Sequence, residues 1–217
     1  MEQLTPYILI MHIATGCIAL LAGLLALLMK KGSNNHKLNG KLFFYSMLGV
    51  AVTAAGMALI KDLDFFLMLS MFAFYSAYAG FRAIRNKTRR ASIIDWLMTV
   101  GALATCGFMI MSGNAILISF GIIFMLLAAS DAKDFLKKDP ATIKSRRWLI
   151  VHISRMLSAY IAAVTAFFVV NFSGLVPEAF NIMVWMAPTV LFTPLIIYYT
   201  NKYRIKNEST SAAARLK

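Results

Sequence analysis

The sequence predicts an all-α membrane protein, a bundle of seven spanning helices, and three observations predict it. Of the 217 residues 60% are hydrophobic and only 14% are charged, whereas about a quarter of the residues of a soluble domain are charged. The apolar residues collect in seven runs, at 7–29, 38–60, 64–84, 93–112, 114–131, 148–171 and 180–200. Each is near the ~20 residues needed to cross a hydrocarbon core about 30 Å thick at about 1.5 Å per helical residue. The basic residues alternate as well: of 22 Lys and Arg, all except Lys61 and Arg155 lie in or beside the odd-numbered connections and the tail. By the positive-inside rule the N-terminus is outside and the C-terminus cytoplasmic.

The elements follow in order. The first run has no basic stretch before it and continues past signal-peptide length, so no cleavable signal is expected; it closes on Lys30 and Lys31. The second begins beside His36, Lys37 and Lys41 and carries Tyr45 in its inner half. Asp62 reads as an N-cap of the third, which ends on Arg82 and Arg85. Ser92 and Asp95 have capping-box spacing at the start of the fourth, and Asn114 reads as the N-cap of the fifth. The fifth is expected to continue as AASDAKDFLKK, with Asp134 and Lys138 paired at i,i+4, until Asp139-Pro140 stops it. In the seventh, Pro188 and Pro194 predict a kink, and Trp185, Tyr198 and Tyr199 lie where interfacial aromatics belong. Residues 1–205 read as a single transmembrane domain and 206–217 as a flexible cytoplasmic tail.

Composition also excludes several classes. The formal net charge of +13 is distributed in short blocks between apolar runs, as in loops of membrane proteins rather than in a nucleic-acid-binding surface. The expected partner is therefore the lipid bilayer. Cys17 and Cys106 lie within apolar runs without CxxC spacing, so neither a disulfide framework nor a zinc knuckle is implied. No internal repeat supports an inverted-repeat transporter design.

The sixth run concentrates the chemistry. WLIVHISRMLSAYIAAVTAFFVVNF, residues 148–172, carries His152, Ser154, Arg155, Ser158 and Tyr160 in its first half and is then apolar to Asn171. His152 and Arg155 fall at i and i+3, on one broad face. An ionisable residue inside a spanning helix costs about 2.5–3.5 kcal/mol on insertion scales, so it is expected to face protein or water. The charge rule puts His36, Asp95, Asp131, His152 and Arg155 in the same cytoplasmic half, and His12 in the other. His36, Asp131 and His152 are candidate ligands of a divalent metal such as zinc, since zinc accepts imidazole nitrogen and carboxylate oxygen. Arg155 and Asp95 are candidate catalytic residues, with Arg155 orienting an anionic group and finding its own carboxylate in Asp95 or Asp131.

HIATGCIALLAGLLALL, HKLNGKLFFYSM and YSAYAGFRAIR, with Asp131, the sixth-helix block and the closing WMAPTVLFTPLIIYY, resemble a bacterial polytopic membrane family catalogued only as a domain of unknown function. The similarity runs over nearly the whole chain. Where that family usually has His-Arg and a later Gly-Arg, this chain has His36-Lys37 and Gly40-Lys41, and lysines replace arginines after the fifth-helix motif. The resemblance implies a seven-helix protein of the bacterial inner membrane and brings no activity with it.

Four functional readings follow. The first is a membrane-embedded enzyme or binding protein, with a bound metal and an amphipathic or anionic ligand. A transporter or proton-coupled carrier is the second, suggested by Arg155, the tyrosines and the kinked last helix. The third is a b-type haem carrier, for which topology permits only His36 with His152 as the imidazole pair. The last is a partner-binding or assembly role. On all of them His36 and His152 are expected to approach one another and His12 to lie far from both.

Overall fold

The structure, a computed structural model, describes residues 5–61, 63–137 and 146–215, with side chains to residue 204 in the last segment. Among the described residues it is all helix and connection, with no strand. Seven α-helices are long and apolar enough to cross a membrane: α1 (Thr5–Leu28), α2 (Asn34–Ile60), α3 (Asp64–Arg85), α4 (Ile93–Met111), α5 (Ala115–Leu136), α6 (Arg147–Phe172) and α7 (Asn181–Arg215). Two short 3₁₀ turns, Ser173–Leu175 and Glu178–Phe180, join α6 to α7. The seven apolar runs and the seven helices correspond one to one.

Capping chemistry sets several boundaries. Ser33 opens α2 by accepting the His36 amide at 3.2 Å. Ser92 and Asp95 form the reciprocal capping box of α4, and Asn114 accepts the amides of Ile116 and Leu117 at the start of α5. Each supplies an acceptor for a first-turn amide that has no partner within its helix. Asp62, Lys138 and the Asp139-Pro140 stop lie outside the described residues. The described part of α5 ends at Leu136, and Asp134 pairs with arginines, as set out below. Both Pro188 and Pro194 lie inside α7, which continues to Arg215. Residues 206–217, where a flexible tail is expected, include the end of that helix and have no described side chains.

Helices α1 and α2 pack along one another, as do α4 and α5, and α6 is packed chiefly on α3 and α7. Two apolar cores result. One joins α3, α4, α5 and α7 through Phe72, Cys106, Phe120, Phe124 and Trp185. The other joins α1, α2, α3 and α6 through Ala19, Phe43, Met47, Ala77, Ala159 and Tyr160. Trp185, expected at an interface, is only 8% exposed and stands edge-on to Phe65 and Phe120. An aromatic near a helix end is drawn inward when a neighbouring helix offers rings to pack on. Close approach of α3 and α6 depends on Gly80, where a Cβ would fall 2.9 Å from the Met156 backbone nitrogen. That contact matters because α6 carries the polar residues of the site.

Candidate functional site

The polar residues gather at the end of the bundle where α2, α4 and α6 begin, and they form two separate clusters. The first is a buried ion-pair network. Asp131 on α5 is fully buried. Its Oδ2 accepts from Arg155 Nε at 3.0 Å and from the Tyr75 hydroxyl at 3.0 Å, and its Oδ1 accepts from Arg89 Nη2 at 2.6 Å. Arg155 Nη2 donates to the Leu127 carbonyl at 2.7 Å. One turn on, Asp134 accepts from Arg147 Nε at 3.0 Å and lies 3.5 Å from Arg89. Arg147 also donates to Ser130. Beside this, Asp95 is gripped by Arg82 through two nitrogens, each at 3.0 Å, and accepts from the Tyr78 hydroxyl at 2.7 Å. All three described carboxylates at this end are thus held by guanidinium groups, which match a carboxylate in planar, forked geometry. A buried charge is tolerated when it is paired and its remaining lone pairs are satisfied.

Arg89 shows how firmly the network is imposed. It lies on the connection between α3 and α4, has φ of 56°, and is buried among Asp131, Asp134 and the Phe135 ring. A left-handed backbone at a non-glycine residue costs about 1–2 kcal/mol. Only strong local contacts sustain such a conformation.

The second cluster lines a cavity of about 480 Å³ between α1, α2, α3, α6 and α7. Its walls are apolar, with Phe43, Phe81, Met156 and Leu157, and Tyr160 at one side. Its ionisable and polar lining residues include His36, His152, Lys31, Lys37, Lys41 and Lys87, with Tyr199 and Tyr203. The two imidazoles stand edge to face, with ring centroids 6.5 Å apart. His36 donates from Nδ1 to the Ala26 carbonyl and His152 from Nδ1 to the Gly80 carbonyl, both at 2.9 Å. Because a carbonyl can only accept, Nδ1 carries the proton in each ring, and Nε2 is left as the reactive nitrogen. Among the described residues neither Nε2 has a hydrogen-bonding partner.

Electrostatics separate the two clusters. Among the described residues no carboxylate lines the cavity, and none lies within salt-bridge distance of its lysines. Lys31 donates to the last carbonyls of α1, those of Ala26 and Leu27, and faces the Tyr199 ring. Burial pushes its ammonium pKa below the ordinary lysine value. Lys87 lies over the Trp148 ring at 5.0 Å. The cavity is also lined by the first turn of α2 and the first two turns of α6, whose helix dipoles present positive ends.

His36 and His152 therefore come together, and His12 does not join them. Its Nδ1 meets Thr53 Oγ1 at 2.9 Å, 17 residues along α2 from His36 and so about 25 Å away along the helix. Asp131, the third expected metal ligand, belongs to the other cluster. Among the described residues no three His, Cys, Asp or Glu side chains are grouped to hold a metal ion. Arg155 finds its carboxylate in Asp131, and Asp95 takes Arg82 instead. The single face read for His152 and Arg155 is divided: His152 turns to α3 and Arg155 to α5. Three residues advance the helix about 300°, and the remaining 60° is enough for a central helix to address two neighbours. Lys31, Lys87 and Arg89 were not singled out by sequence. Their nearest signal is the aromatic residue that each cation faces.

No curated protein matches the chain, and no solved structure does. A family model described as "Predicted membrane protein (DUF2306)" matches residues 9–130, which is α1 to most of α5 and includes His36, Asp95 and Tyr75. His152 and Arg155 lie beyond that match, on α6. With more than half of its length matched, the chain belongs to the DUF2306 family of membrane proteins, whose function is unknown.

Proposed function

We propose that this membrane protein binds an amphipathic anion in the cavity between α1, α2, α3, α6 and α7. By the charge rule this end faces the cytoplasm, and the family resemblance implies a bacterial inner membrane. The observation that carries the reading is the lining: two histidines and four lysines beside apolar walls, without a carboxylate among the described residues. At about 480 Å³ the cavity falls within the ~300–1,000 Å³ range of small-molecule sites. In the imidazolium form that a bound anion favours, His36 and His152 donate to the head of the ligand through Nε2, the lysines at the rim attract it, and the apolar walls take its chain. Arg155, Asp95 and Asp131 act by position, holding α3, α4, α5 and α6 in register around the cavity. Such a site serves a binding protein or an enzyme, and recovery of the ligand unchanged or altered by mass spectrometry distinguishes them.

A second reading has its own observation. Imidazoles whose Nδ1–H groups donate to carbonyls are oriented as metal ligands usually are. A divalent cation held by His36 and His152 would take its remaining ligands from the bound anion, against the repulsion of four lysines. Metal content of the purified protein tests this directly.

The anion reading is tested by thermal unfolding in a non-ionic detergent, with alkyl anions and alkyl trimethylammonium cations of equal chain length. The anion stabilises the protein and the cation does not. Equal response to both overturns the reading.

A further inference from the structure

We infer that the head of this ligand is a phosphate monoester on an apolar chain, a lipid phosphate drawn from the bilayer rather than free phosphate. The inference rests on the anion reading above and goes further in naming the chemical class.

Charge count comes first. Four lysines and two histidines line the cavity: Lys31, Lys37, Lys41, Lys87, His36 and His152. The arginines nearby are engaged with Asp95, Asp131 and Asp134, so the cavity cations have no described acid to answer them. A carboxylate would bring one charge and two oxygens. A phosphate monoester brings roughly −1.5 to −2 charge at neutral pH and three terminal oxygens, a better match to several point-charge donors on different sides. Lysine serves phosphate in this way, as a point charge without the planar fork of arginine.

Helix ends add a second, independent observation. The cavity takes lining residues from the first turn of α2 and of α6, namely His36 and Lys37, and Trp148 and Leu149. Positive dipole ends of helices favour phosphate. Two helices end at the cavity, and both ends carry cations: the α1 carbonyls of Ala26 and Leu27 accept from Lys31, and Ala26 accepts also from His36, while the last turn of α3 holds Arg82 and Arg85. The local field is therefore positive from the starts of α2 and α6 and muted at the ends of α1 and α3.

The apolar part of the lining settles the source. Free phosphate needs no apolar wall, yet Phe43, Phe81, Met156, Ile153 and Leu157 line this cavity on helices that span the membrane. The cavity lies where α2 and α6 begin, and the end of a helix of spanning length is where a lipid is expected to change from headgroup to chain.

The test uses the full chain purified in non-ionic detergent. Binding is measured for a long-chain alkyl phosphate, the fatty acid and primary alcohol of the same length, and inorganic phosphate. The alkyl phosphate is expected to bind at least tenfold more tightly than the fatty acid, with the alcohol and inorganic phosphate weaker still. His36→Asn and His152→Asn keep an amide donor for the Ala26 and Gly80 carbonyls and remove Nε2. Each is expected to lower alkyl phosphate affinity at least tenfold while the protein elutes and unfolds as the wild type does. Should a variant fail to fold, Lys87→Gln at the exposed rim provides the same comparison with a smaller loss. Fatty acid binding as tightly as alkyl phosphate overturns the phosphate inference and leaves the anion reading standing. Inorganic phosphate binding as tightly as alkyl phosphate overturns the lipid source. Equal binding of alcohol and phosphate overturns both the inference and the anion reading.

Discussion

The two polar clusters sit at the same end of the bundle, share α3 and α6, and have opposite electrostatic states. In the Asp131 network every described carboxylate is matched by guanidinium groups, Asp131, Arg89 and Arg155 are buried, and Arg89 lies against the Phe135 ring. In the cavity the cations outnumber their described protein partners, and the rim lysines are exposed. A charge compensated inside the protein holds helices together. A charge left without an internal partner beside an open apolar space is available to something from outside. The difference lies in which acid reaches which base, not in the residue types.

Breaking the network has the largest expected effect. Asp131→Asn leaves Arg89 and Arg155 buried against a neutral amide, and removing one partner of a buried pair costs about 3–5 kcal/mol. Thermal unfolding in detergent, with folded yield, measures it; a loss no greater than that from Lys87→Gln contradicts the contrast drawn here. Gly80→Ala comes next. Its methyl group would meet Met156 at the backbone nitrogen and side chain, so α3 and α6 must part, at about 1–3 kcal/mol for overpacking. Because the Gly80 carbonyl orients His152, this variant should weaken ligand binding as well as stability, whereas Asp131→Asn acts on stability first.

The histidine variants sharpen the comparison from the other side. His36→Asn and His152→Asn should each reduce affinity for an alkyl anion tenfold or more, which is about 1.4 kcal/mol, with little change in unfolding temperature. The smallest expected effect concerns pH. Burial lowers the Lys31 pKa, so its ammonium loses its proton at a lower pH than a solvated lysine near 10.4. Anion binding that uses this charge is full below that pKa and declines as pH rises through it. Affinity measured upward from pH 7 should therefore fall earlier in the wild type than in Lys31→Arg, which stays charged, and an identical profile removes Lys31 from the site.

Much of the fold was legible because membrane physics writes it locally. Seven apolar runs of spanning length give seven helices, and Ser33, Ser92 and Asn114 cap where their side chains can reach first-turn amides. Depth alone separated His12 from His36 and His152; the meeting of those two also required the second and sixth helices to lie near each other. What the sequence does not carry is the order of helices around the bundle, since connections of this length allow several arrangements. Asp131 was therefore grouped with the histidines, although packing of α5 beside α6 gives it to Arg155 and Arg89. Arg89 itself reads as a loop charge in NKTRRAS, with no apolar period around it. Only the folded chain shows it turned inward with a left-handed backbone. Asp134 illustrates the same point: Arg147 from the next helix pairs with it, a partner the sequence did not indicate, while Lys138, the expected local partner, lies outside the described residues.

The most direct measurement compares ligand-induced stabilisation in three proteins: wild type, His36→Asn/His152→Asn, and Asp134→Asn. Asp134→Asn is chosen from the network because Arg147 keeps Ser130 and Arg89 keeps Asp131. At a long-chain alkyl phosphate concentration about 100-fold above Kd, binding adds about 2.7 kcal/mol to the stability of the wild type. The account predicts that Asp134→Asn starts from a lower unfolding temperature yet gains as much from the ligand as wild type. The double histidine variant should start near wild type and gain little. The reverse pattern, with stabilisation lost in Asp134→Asn and kept in the histidine variant, would place the ligand at the ion-pair network and contradict the division between the two clusters.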